Sequence, residues 1–85
     1  MYYFIINPDS SRGRGGRVWK ILKQRLDKTK VEYQAFLTQK QGDARRFAGE
    51  LTEERREPVT IVAVGGDGTV NEIVDGLWLQ CPVTL

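Results

Sequence analysis

Two stretches of the 85-residue chain, YYFII at residues 2–6 and VTIVAV at residues 59–64, are nearly unbroken apolar runs of strand length. A strand with one wet face alternates polar and apolar side chains. A continuous run needs cover on both faces, the condition of a central strand in a parallel sheet between helices. Residues 31–37 alternate instead, with Val31, Tyr33, Ala35 and Leu37 on one side and Glu32 and Gln34 on the other, which suits a half-covered edge strand. Helical spacing fills the intervals. Val18, Leu22 and Leu26 recur with Trp19 and Ile21 beside them, Ala44, Phe47, Ala48 and Leu51 follow, and Val70, Ile73, Val74 and Leu77 repeat the pattern. Pro58 opens the third strand, and residues 83–85 begin a fourth. The alternation predicts a three-layer α/β sandwich around a parallel, Rossmann-like, doubly wound sheet, with strand order 2-1-3 plus a beginning fourth strand. The ending at PVTL, with Leu77 and Trp78 left without obvious cover, reads as an incomplete domain.

Composition sets bounds on this fold. With 40% hydrophobic and 28% charged residues the chain is globular, and its length allows one core. Thirteen basic against eleven acidic residues leave a formal charge of +2, too small an excess to point to nucleic acid. There is no secretory leader pattern and no apolar run near the roughly 20 residues that cross a bilayer, so a cytoplasmic place is expected. Cys81 is the only cysteine and the chain has no histidine, which leaves it the part of a half-buried small hydrophobe.

Glycine gives up more backbone freedom on ordering than any other residue, so the glycines that follow the central strands need a reason. They lie in NPDSSRGRGG, residues 7–16, and GGDGT, residues 65–69. Ligands of open parallel sheets bind beyond the carboxyl ends of the strands. Each loop enters a helix whose first N–H groups are unpaired and whose dipole end is positive, a site suited to phosphate. Neither loop is a Walker A loop, since no GK[ST] follows, and GRGGRV does not fit GxGxxG. Asp67 among the glycines would repel phosphate unless it holds Mg²⁺, accepts a proton or caps the helix. Plainer readings stand beside these. Thr69 with Glu72 has the spacing of a capping box, Asp43 is placed to cap the second helix, and Asn7-Pro8-Asp9 is ordinary turn chemistry. Arg12, Arg14, Arg17 and Lys20 suit a solvated helix entry as well as an anion site.

The set taken in order, Ile6-Asn7-Pro8, then Thr38 with Gly42, Asp43 and Ala44, then GGDGTVNE at 65–72, resembles the diacylglycerol kinase catalytic-domain family, which includes sphingosine kinases and bacterial relatives, over nearly the whole chain. GGDGT alone is shared with NAD kinases; Asn71-Glu72 and the INPxS opening favour the lipid kinases. The resemblance implies ATP binding in the cleft of a two-domain enzyme and γ-phosphoryl transfer to a lipid hydroxyl with Mg²⁺. It implies nucleotide contacts at Asn7, Pro8, Asp9, Ser10 and Ser11, at Thr38, and at Gly66, Asp67, Gly68, Thr69, Val70, Asn71 and Glu72. Asp67 is the candidate catalytic group, in proton transfer or in organising metal and phosphate. The lipid partner implies a peripheral place at the membrane surface. There are two departures. The family commonly has glycine where this chain has Ser11, and the β-rich second domain that carries lipid-binding and acid/base residues is not in this sequence. Residues 1–85 are therefore expected to be the N-terminal part of the nucleotide-binding domain and inactive alone. The alternatives are the corresponding part of an NAD kinase, or a non-catalytic module that pairs with a second copy through its unfinished sheet edge.

Overall fold

The computed structural model describes residues 1–78 and 81–85. Its elements are β1 (Tyr2–Ile6), α1 (Ser10–Asp27), β2 (Tyr33–Leu37), α2 (Asp43–Thr52), β3 (Val59–Val64), α3 (Asp67–Gly76) and β4 (Val83–Thr84). They form a single parallel sheet in the order β2-β1-β3-β4. β1 sits in the middle of the first three strands, with Tyr2 between Tyr33 and Thr60 and Ile6 between Leu37 and Val64. That register brings the carboxyl ends of all three to one level, so the loops after them leave the sheet together.

The unbroken apolar runs are explained by two cores. Ile5, Val59 and Ile61 face α2 and α3, where they meet Ala44, Ala48, Leu51 and Ile73. Phe4, Ile6 and Val64 face α1 and pack on Trp19. Ile5, Ile6, Ile61 and Ile73 are fully buried, each worth roughly 1.5–3 kcal/mol over an exposed position. The Trp19 ring lies 5.4 Å from that of Phe4 and edge-on to Tyr33, which ties α1 to β1 and β2.

Several expectations shift in detail. The edge strand begins at Tyr33 and not Val31; Tyr33 and Ala35 pack on the α1 side as the alternation requires, but Val31 and Leu37 are exposed and Phe36 packs on the opposite core. Val18, Ile21, Val70 and Val74 also lie on exposed helix surfaces. Leu77 is half-buried against the α2–α3 core, while Trp78 is exposed. Cys81 is buried among apolar side chains, deeper than the half-buried place expected.

Candidate functional site

Beyond the aligned strand ends lies a cleft of about 470 Å³ lined by three segments: Asn7, Asp9 and Ser10 after β1; Thr38 to Gln41 with Ala44 after β2; and Gly66, Gly68, Thr69 and Glu72 after β3. Two backbone bonds carry the sheet one step into these loops. The Asn7 N–H donates to the Val64 carbonyl and the Thr38 N–H to the Ile6 carbonyl, both at 2.8 Å.

The first loop turns sharply. The Asn7 carboxamide oxygen accepts the Asp9 N–H at 3.1 Å, an Asx turn, and the Gly16 N–H donates back to the Pro8 carbonyl at 2.9 Å. Ser11, Arg12 and Gly13 all have positive φ, at 51°, 59° and 90°, so the regular turns of α1 start only at Arg14. The left-handed turn therefore uses Gly13 and also falls on Ser11, a residue with a Cβ. Gly15 has a different reason: a Cβ there would run into the Asn7 carbonyl. The glycines of this loop serve the fold.

At the second loop α3 begins at Asp67, with Gly66 in the cap position and no side-chain cap. The capping box read from Thr69 and Glu72 does not form. Thr69 lies inside the helix, buried and turned against Gly65, where a Cβ would approach its hydroxyl to 2.5 Å; the Glu72 carboxylate instead accepts the Gly42 N–H at 2.9 Å. Gly65 is thus explained by packing. Gly66 and Gly68 are not. Gly66 has extended backbone open to any residue, its Cβ would meet only the Ser10 hydroxyl at 3.6 Å, and a Cβ on Gly68 would meet nothing within 4 Å. Both line the cleft.

The third wall is residues 38–43. Asp43 is the first residue of α2 and not its cap, a place taken by Gly42 with φ 94°. Its carboxylate, 5% exposed as a residue, accepts the N–H groups of Gln39 at 2.8 Å and Lys40 at 3.1 Å. The Gln39 bond chiefly, with the Lys40 bond and the Arg46 and Lys40 charges against some loss of hydration, holds that carboxyl below its ordinary 3.8. Lys40 is the one basic residue among the described residues lining the cleft, which also include the acidic Asp9 and Glu72.

Of the residues expected to contact a nucleotide, Asn7, Asp9, Ser10, Thr38, Gly66, Gly68, Thr69 and Glu72 line the cleft together. Pro8, Asp67, Val70 and Asn71 do not line it, and Ser11 lies in a neighbouring groove with Arg14 and Val18. Asp67 and Asn71 are exposed beside it on α3. Gln39, Lys40 and Gln41 line the cleft but were not singled out by the sequence, although the strand-end rule that picks Thr38 reaches them too.

The sequence pattern of the diacylglycerol kinase catalytic domain matches residues 1–85, the whole chain. The chain belongs to the diacylglycerol kinase catalytic-domain family. Among its relatives, "Putative lipid kinase YtlR" of Bacillus subtilis (strain 168) is 40% identical over 77 residues, covering 89% of this chain and 25% of that protein. A ceramide kinase of Oryza sativa subsp. japonica is 32% identical over 86% of this chain and 12% of its own length. A solved structure of "A putative diacylglycerol kinase from Bacillus anthracis str. Sterne" superposes with a TM-score of 0.70 at 25% identity, over 96% of this chain and 30% of that one. The chain thus spans about a quarter to a third of the length of these bacterial relatives.

Proposed function

We propose that residues 1–85 form the ATP-binding part of a lipid kinase that, in the full-length protein, transfers the γ-phosphoryl group to a lipid hydroxyl at a membrane surface. The observation that carries this reading is the pair Gly66 and Gly68. No conformational or packing requirement of the fold calls for glycine at either position, yet both border the cleft at an uncapped helix N-terminus. A bare backbone there lets phosphate oxygens reach the first N–H groups of α3. Phosphoryl transfer needs mainly positioning and charge neutralisation, and these N–H groups with Lys40 opposite supply both.

Asp67 fits a Mg²⁺ accompanying the nucleotide. Its carboxylate is exposed at the first turn and enters no ion pair among the described residues. Mg²⁺ typically takes one or two carboxylates with phosphate oxygens and water, and when bound it would offset phosphate charge. No helix of the described residues is long and apolar enough to cross a membrane.

The test is Asp67→Asn in the full-length protein, assayed with labelled ATP against diacylglycerol and ceramide vesicles beside a thermal melt. Asn keeps size and loses charge. A metal or proton role predicts a fall in kcat of about 100-fold or more, with stability changed by less than about 1 kcal/mol. Unchanged turnover would remove Asp67 from the chemistry, and absence of ATP-dependent transfer to either lipid in the wild type would end the kinase reading.

A further inference from the structure

The wall of the cleft formed by residues 39–42 has no strand or helix of its own, and its residues are exposed. Such a segment keeps one shape only if its backbone groups are tied elsewhere. Three of its N–H groups end on just two carboxylates. Asp43 takes those of Gln39 and Lys40 on a single oxygen, and Glu72, from α3 and thirty residues along the chain, takes that of Gly42. Asp43 is almost fully enclosed and its other oxygen lies 3.7 Å from the Arg46 guanidinium. Next to this segment the Thr38 N–H is fixed to β1, so the wall is anchored at both ends, to the sheet on one side and to α2 and α3 on the other.

We propose that Asp43 and Glu72 are positioning residues, a two-carboxylate clamp that holds segment 39–42 and so sets how Lys40 meets the nucleotide. On this view Glu72, counted by resemblance among the nucleotide contacts, acts through the Gly42 N–H. Gly66 caps α3, Gly68 lies in its first turn and Glu72 follows about one turn later, so the helix that meets the phosphates also holds the opposite wall. The closing distance between the two walls is thereby fixed by one element. The link from wall to nucleotide rests on the kinase reading above; the clamp itself does not.

The experiment uses the full-length protein with Asp43→Ala, Asp43→Asn, Glu72→Ala and Glu72→Gln. Amide hydrogen exchange of residues 39–43 without nucleotide is read beside KM for ATP and kcat. The alanine variants should exchange at least about tenfold faster, at Gln39 and Lys40 for Asp43→Ala and at Gly42 for Glu72→Ala, and should raise KM for ATP about 5- to 10-fold while kcat falls by less. Asn and Gln keep an accepting oxygen and should restore most of both. Slow exchange in the alanine variants would overturn the clamp. Glu72→Gln losing kcat as fully as Glu72→Ala, with Gly42 exchange unchanged, would overturn it too, because the charge would then act on the reacting groups. A wild type that never binds ATP would sink the kinase reading, and the exchange measurements would still decide the clamp.

Discussion

The loops after β1 and β3 both bring glycine to the same end of the sheet, but for opposite reasons. In residues 7–16 the backbone itself needs them: Gly13 holds a left-handed turn, and Gly15 lies where a side chain would overlap the Asn7 carbonyl. In residues 65–69 only Gly65 is committed to packing, against Thr69, while Gly66 and Gly68 are free of any such demand. A glycine-rich loop is therefore weak evidence for a ligand until each glycine has been tested against the fold. The residues left over after that test carry the functional weight.

Substitutions can break this contrast, beginning with the largest effect. Gly15→Ala should destabilise the protein by about 3 kcal/mol or prevent folding, since the added carbon meets backbone that cannot rotate away; denaturant melts would read it. Gly66→Ala should leave the melt within about 0.5 kcal/mol of wild type yet raise KM for ATP roughly tenfold, equal to about 1.4 kcal/mol. A loss of stability at Gly66 as large as at Gly15 would erase the distinction between the loops. Ser11→Gly sharpens it from the other side. Relief of a φ of 51° on a residue with a Cβ should stabilise by about 0.5 to 1 kcal/mol, the left-handed cost less the added freedom of the unfolded chain, measured by the same melts. No gain would mean that the Ser11 side chain compensates for its own backbone.

The strands, their order and the two faces of the sheet were legible because unbroken apolar runs admit few other placements. Ala44, Ala48 and Leu51 show how helical spacing found the core, all three being buried. What stayed hidden depended on contacts distant in the chain. The Thr69–Glu72 spacing fits a capping box, but Gly65 draws Thr69 inward and Gly42 draws Glu72 across to another loop, neither of which local spacing can express. Val31 has the right parity for β2, yet β1 begins at Tyr2 and gives it no partner. Gln39 to Gln41 carry no turn signature, so nothing short of the strand-end rule could have placed them at the cleft. Asp67 is the hardest to read, since no ion pair among the described residues fixes its carboxylate.

The central position of β1 also has a temporal consequence. Tyr2 pairs with Tyr33 on one side and Thr60 on the other, so β1 leaves the ribosome before either of its partners and is completed only after β3 has followed. Loop-closure entropy must be overcome before either long-range pairing stabilises the chain, and the wider of the two closures waits for β3. During synthesis YYFII is thus an apolar segment with open hydrogen-bonding edges, the kind that associates with other chains when left exposed. The arrangement that aligns three strand ends around the cleft is also the one that leaves β1 without its second partner until β3 has been made.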